Sequence, residues 1–406
     1  MQFGKLDVNA VMAQQRGVTE RIVIKGGGLA RPIDKQASDY EYNRHFFLSH
    51  YFKKKFDEAY QRNPTAPNTG FRVTRIEVYK TNISNQTTEL RTVTGLLDLG
   101  ENGAVEDPDL AGIDTDGYLY KSQVIAAGAT LVPSNDANDL FSTITSNSDN
   151  RKTDAIVNYL QGLGLTSGTD FEKINSARRL EENKDFTYHS DLGFISLNTT
   201  LKDDEALAVA YEYTLDGVTY KVGELPEDYQ ALDQVEDVIL LKLLKPQSIN
   251  TNIPTWSLMM KNIYSLNTSN IQPEKFQLRI IYKDDISGVD NPSLQEGNGI
   301  EGVPLLRLLN MDKLDPNGDF KPDGNFDFLD NATINTQKGK IIFPVQEPYG
   351  KYMDYIFEQN DPNNSLPLSS KYSFPTLYAG TQNDARQKTS RDKFFLQGTY
   401  QSASST

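Results

Sequence analysis

The chain has 406 residues, of which 37% are hydrophobic and 10% aromatic, with a formal net charge of −14 and no cysteine. Such acidity makes phosphate backbones and anionic membrane surfaces poor partners, which speaks against nucleic acid, and the cysteine count excludes disulfides, thiolate metal sites and cysteine nucleophiles together. The length predicts two subdomains or one domain with a large insertion, and no apolar run approaches the ~20 residues a membrane helix needs.

The 28 glycines and 18 prolines point to strands and turns. The expected class is a β-rich α+β fold, mostly antiparallel, with a few short helices and a helical insertion. Near the start, Leu6, Val8, Ala10 and Met12 alternate as one face of a strand, and a second apolar strand follows at Ile22 to Ile24. Such alternation suits a lipid-facing barrel strand as well as a soluble one. Gly26 to Gly28 then break the pattern as a tight bend. They lack the following helix and the lysine that a phosphate cradle requires.

From His45 to Gln61 the period changes. Leu48, Phe52, Phe56 and Tyr60 recur every four residues, which predicts an amphipathic helix ended by Asn63-Pro64. A strand over Val73 to Thr81 is expected to be answered by Val93 to Leu99. Residues 101–169 turn to Asp, Asn, Ser, Thr and Gly, with short helices expected at Asp136–Ile144 and Thr153–Leu163.

The densest strand signal comes after Asp185, at Phe194–Leu197, Leu207–Thr214, Val218–Val222, Val238–Leu244 and Phe276–Tyr282. Val238–Leu244 is apolar on both faces, as a covered central strand would be. Thr255–Ser265, with the single tryptophan Trp256, reads as a short helix, and the chain after Phe395 reads as a fraying tail. The sharpest local signal is Asp216-Gly217, a type I′ hairpin turn. It fixes the register Leu215 to Val218, Thr214 to Thr219, Tyr213 to Tyr220, Glu212 to Lys221 and Tyr211 to Val222. Val209, Tyr211, Tyr213, Leu215, Val218, Tyr220 and Val222 would share a buried face. The division expected is a strand-rich segment with one helix (1–100), a polar helical insertion (101–169), a β-rich domain (170–400) and a tail (401–406).

Little here looks catalytic. His45 and His50 are five apart, off the i, i+4 face that helical metal pairs use. His189 stands near Tyr188 and Asp191, but the sequence has no Gly-x-Ser-x-Gly elbow. Adjacent acidic pairs such as Asp203-Asp204 read as solvated turns rather than an acid–base pair across a cleft. One stretch does offer several oxygen ligands on a glycine-bent loop, and Asp312, Asp315, Asn317, Asp319 and Asp323 form a candidate calcium site. It departs from the EF-hand pattern, with Phe320 at the glycine position and no closing glutamate. Asx turns are the competing reading.

Several segments together resemble one family. They include Phe3-Gly-Lys-Leu with Gln14-Gln-Arg-Gly17, Asn43-Arg-His-Phe-Phe-Leu48, Val73-Thr-Arg-Ile-Glu-Val78 with Leu97-Asp-Leu-Gly-Glu101, Leu192-Gly-Phe-Ile-Ser-Leu197 and Asp204-Glu-Ala-Leu-Ala-Val-Ala-Tyr211. Further on stand Val218-Thr-Tyr-Lys-Val-Gly-Glu224, Leu258-Met-Met-Lys-Asn-Ile-Tyr264, Pro304-Leu-Leu-Arg-Leu-Leu309, Asp323-Gly-Asn-Phe-Asp-Phe328 and Ile342-Phe-Pro-Val-Gln-Glu-Pro348. In this order they look like the SprA/Sov family of the Bacteroidetes type 9 secretion and gliding-motility machinery; residues 102–168 contribute little. The resemblance implies a piece of a very large outer-membrane β-barrel translocon, facing the cell surface or the periplasm. It also implies a PorV-type barrel, a plug protein, a periplasmic prolyl isomerase and secreted cargo as partners, and no catalytic residues. No signal-peptide pattern is read at the start, so an exported parent implies an excerpt of a longer chain. A calcium-dependent surface adhesin or glycan-binding module is the alternative.

Overall fold

The computed structural model describes residues 30–83, 90–101, 132–284 and 288–402. The strands expected at 6–12 and 22–24 and the glycines 26–28 lie outside them. Among the described residues the chain is β-rich, with sixteen strands in mostly antiparallel sheets and short helices between them. The first strands are β1 (Arg31–Gln36) and β2 (His45–Phe47), followed by helix α1 (His50–Arg62), β3 (Phe71–Thr81) and β4 (Leu90–Leu96). Helices α2 (Leu140–Thr145) and α3 (Ile156–Gly162) lead to β5 (Phe171–Arg179), β6 (Phe186–His189) and β7 (Phe194–Leu197). Then come β8 (Leu207–Leu215), β9 (Val218–Val222), β10 (Ile239–Lys245), β11 (Ile263–Ser265), β12 (Gln277–Lys283) and the two-residue β13 (Asp290–Asn291). The last are β14 (Ile334–Asn335), β15 (Lys340–Ile342), helices α4 (Lys351–Asn360) and α5 (Ser365–Tyr372), and β16 (Phe394–Tyr400).

Five strands close on themselves. β10 runs parallel to β4, and the antiparallel pairs β4–β5, β5–β3, β3–β8 and β8–β10 complete the circuit. Closure leaves no open edge among these five, which removes the usual template for unwanted pairing. So narrow a ring needs small inward side chains. β8 supplies Ala208 and Ala210, packed with Ile174, Ala177, Ile239 and Leu241, and Gly95 sits where a Cβ would come within 2.9 Å of Leu243 Cδ1. The other face of β8 points outward, and Phe52 of α1 lies against Tyr211 and Tyr213 there and stacks on Phe71 at 4.1 Å.

The four-residue stripe of α1 is fully buried, as expected, but the helix begins only at His50, with Ser49 capping Phe52 N–H. His45–Phe47 instead pair with β7. β4 does not answer β3, because β5 lies between them. β5 buries Phe171 in one core and Ile174 and Ala177 in another, and a bulge opposite Arg91–Val93 puts the last two three apart on one face. Alternation, the usual sign of a strand, is therefore missing from its sequence.

The hairpin forms in the expected register at all five pairs. Asp216 and Gly217 have φ of 51° and 78°, and Tyr213 and Tyr220 stack with centroids 5.4 Å apart. The shared face is buried from Val209 to Tyr213, but Val218 at the tip is 50% exposed, because the strands run out past their cover. Nothing lies within 4 Å of a Cβ built on Gly217, so Gly217→Val tests backbone strain alone. It is expected to cost roughly 1–2 kcal/mol in urea denaturation, whereas Gly217→Asn should cost less.

A second core gathers Ile33, Ala37 and Tyr40 with residues from Tyr264 to Tyr400. Its main sheet has the order β1–β16–β12–β13, so the two ends of the described chain pair, Arg31 with Tyr400 through Gln36 with Phe395. The tail expected to fray after Phe395 is instead a central strand up to Tyr400. Serine and threonine are no obstacle where neighbours on both sides supply the ladder. Thr255–Ser265 is no helix either. A 3₁₀ turn over Pro254–Leu258 gives way to extended chain, which Met260 N–H fixes by donating to His45 O at 2.9 Å.

Candidate functional site

The acidic loop does not converge on a point. Asp312 is fully buried, and its carboxylate accepts the N–H groups of Asp323 (2.9 Å) and Gly324 (3.1 Å) and the Arg307 guanidinium (3.1 Å). Asp315 accepts from Asn317 and Asp319 N–H, and Asp323 from Asn325 N–H. Asp327 closes the loop by accepting from Lys313 and Leu314 N–H. Asp315 and Asp323 make Asx turns, while Asp312 and Asp327 accept amides 11 to 14 residues away and so tie the two ends of the loop together. Among the described residues no three His, Asp or Glu side chains are placed to hold one ion. Asp312→Ala is expected to destabilise the protein by roughly 2–3 kcal/mol, since it strands two amides and a guanidinium. Calcium and a chelator should give the same calorimetric melting temperature.

The histidines go to two places. His50 is buried between Glu101 (Nδ1 to Oε1, 3.1 Å) and Pro254 O (Nε2, 3.1 Å). His45 and His189 meet at Ser196, on the joint between the two cores. His45 Nδ1 lies 2.8 Å from Ser196 Oγ and its Nε2 2.9 Å from Glu41 Oε2, while His189 Nε2 stands 3.4 Å from the same hydroxyl. The order carboxylate, imidazole, hydroxyl is that of an activated serine. Its setting is that of a tie. Ser196 is on β7, the middle strand of the sheet β2–β7–β6, and only 7% exposed. Glu41 is shared with Arg44 at 2.6 Å and with Lys340 of β15, which also reaches Ser265 of β11. Burial raises the Glu41 carboxyl, but His45 and Lys340 outweigh it and hold the group well below the usual range. Burial keeps the His45 imidazole low. A cleft of about 670 Å³ opens beside these groups, with Lys338, Asn331 and Asn335 on its far wall.

The joint is also a backbone seam. Glu41 N–H donates to Ile263 O at 2.8 Å, Leu197 N–H to Arg44 O at 2.8 Å, and Phe46 bridges Met259. No sequence spacing announces it: Glu41 and His45 stand at i, i+4 but outside any helix, and Ser196 is 151 residues from His45.

A second cleft, of about 460 Å³, lies on the other side of the Leu258–Tyr264 segment. Phe47 and Lys53 contribute from one core, Lys351 and Tyr378 from the other, and Trp256, Met259, Met260 and Lys261 from the segment itself. Trp256 Nε1–H donates to Tyr378 O at 2.9 Å, which fixes the indole. No protein-family model matches the chain, and no curated protein matches it.

Proposed function

We propose that the chain is a non-catalytic segment of a large outer-membrane protein-translocation barrel of the type 9 secretion kind, forming a lobe that shapes the cargo path or a partner surface. The observation that carries this reading is where the resembling segments fall. Asn43–Leu48, Leu192–Leu197, Leu258–Tyr264 and Ile342–Pro348 are far apart in sequence, yet they meet along the seam of Glu41, His45, Ser196 and Lys340. Four of the resembling segments thus help to join the two cores, which fits a part whose task is to keep its shape. The partners on this reading are a PorV-type barrel, a plug protein and secreted cargo, with the parent protein in the outer membrane. The adhesin alternative has less support from the acidic loop, where Asp312, Asp315, Asp323 and Asp327 accept the loop's own amides.

Deleting residues 30–402 from the parent is expected to stop cargo secretion while the remaining barrel still inserts. Normal secretion by that deletion would remove the proposal. A fluorophosphonate offers a separate check on the serine. Covalent labelling of Ser196 would point to an esterase-like enzyme, whereas the tie described above leaves it unlabelled.

A further inference from the structure

Lys261 is 4% exposed, yet among the described residues no carboxylate lies within ion-pair distance of its ammonium. Its polar neighbours are Trp256 O at 3.3 Å and Met259 O at 3.5 Å, with the Trp256 ring 4.9 Å away. Lys242, by contrast, lies 3.0 Å from Glu101, while Lys245, without an ion pair among the described residues, is held by three carbonyls at 2.8–3.0 Å, closer than the two that Lys261 has. A buried cation without a counter-ion is costly. Lys261 is also not sealed in, for it lines the 460 Å³ cleft together with Trp256, Met259, Met260 and Tyr378. Lys53 on α1 and Lys351 on α4 also line the cleft, with Glu347 and Asp354.

We propose that this cleft binds the carboxylate of an acid with an apolar body, Lys261 serving as its counter-ion and the Trp256–Met259–Met260 wall seating the apolar part. The inference goes beyond the translocon reading and stands without it. The lysine, itself buried, supplies charge-assisted hydrogen bonds from the cleft wall. Trp256 is held in place by Tyr378 O, so the wall is formed before a ligand arrives. Burial pushes the Lys261 amine down to about 7, Glu347 raising it and Lys53 lowering it in smaller measure. An incoming carboxylate favours the charged amine. Binding is therefore strongest below pH 7, weakens as pH rises through and above 7, and takes up a proton in that upper range.

The test is titration calorimetry on the whole chain with octanoate and with acetyl-Leu-Phe bearing a free carboxylate, against octanol and acetyl-Leu-Phe-amide. The acids are expected to bind more tightly than their neutral counterparts by roughly 10- to 100-fold. Lys261→Met, which keeps the length and drops the charge, should abolish that difference. Above pH 7 the enthalpy should depend on the buffer's own ionisation heat, which reports proton uptake. Binding of octanoate alone identifies a fatty acid as the ligand class and binding of the peptide alone a chain terminus; either supports the site. Failure of both acids to bind, equal binding of acid and neutral probe, or a difference that survives in Lys261→Met overturns it. The wild-type comparison is informative even if the variant does not fold. Secretion by the parent is a separate readout, so failure here leaves the translocon proposal standing.

Discussion

Gly398→Val is expected to unfold the C-terminal core, with a loss above about 4 kcal/mol, the range that severe backbone clashes reach. Gly398 lies in the middle of β16, opposite Ile33 of β1 on one side and Leu278 of β12 on the other. A Cβ built there would come within 1.8 Å of Gln277 O and 2.8 Å of Gln277 C. Both are backbone atoms, so no side-chain rotation relieves the contact, and hydrogen bonds on both edges keep β16 from moving aside. Phe394 and Leu396 on the same strand are fully buried, so displacing it also opens the core. The reading is urea denaturation followed by fluorescence of Trp256, whose indole is tied to Tyr378 in that half of the molecule. Gly398→Ala should already cost most of this, since the clash arises at Cβ. Stability within 1 kcal/mol of the parent would mean that β12 and β16 do not approach as closely as described.

This strand marks the limit of what the sequence revealed. The hydrophobic pattern found the elements whose burial it records directly: the α1 stripe, the hairpin with its register, and β10, an unbroken apolar run whose seven residues are all buried. It failed where tertiary partners set the conformation. β5 hides its inward face behind a bulge, β16 looks like a polar tail until β1 and β12 flank it, and Met259–Lys261 is held extended by the backbone of His45 and Phe46. The candidate sites divide in the same way. The acidic loop was legible as a cluster, but whether its carboxylates face an ion or their own amides is decided by φ and ψ rather than composition. The meeting of His45 with Ser196 and the burial of Lys261 away from a carboxylate depend on residues that only the fold brings together, so no spacing rule could have found them.

The second large effect is expected at Glu101. Its side chain is 2% exposed and lies 3.0 Å from the fully buried ammonium of Lys242, with His50 Nδ1 at 3.1 Å and His50 N–H at 3.2 Å from the same Oε1. Lys242 sits in the middle of β10 and also donates to Leu97 O. Glu101 thus ties the start of α1 to the barrel wall. Burial raises the Glu101 carboxyl, but Lys242 and then His50 outweigh it and hold the group at about 2. A carboxyl lowered on folding stabilises the native state fully above the unfolded value near 4.5, and that contribution is lost as pH falls from 4.5 toward 2. Glu101→Ala leaves Lys242 charged, buried and without its carboxylate, for a cost of about 3–5 kcal/mol. Lys242→Met in the same chain should restore part of the loss, because it removes the buried ammonium left without its carboxylate. The measurement is a double-mutant cycle in urea at pH 7, repeated at pH 3. At pH 7 the single Glu101 variant should be far less stable than the double. At pH 3 the gap between the parent and Glu101→Ala should narrow, since Glu101 is protonated in the unfolded parent there and must lose its proton on folding. A double variant no more stable than Glu101→Ala would show that the contribution of Glu101 comes from its bonds to His50 rather than from the ion pair with Lys242.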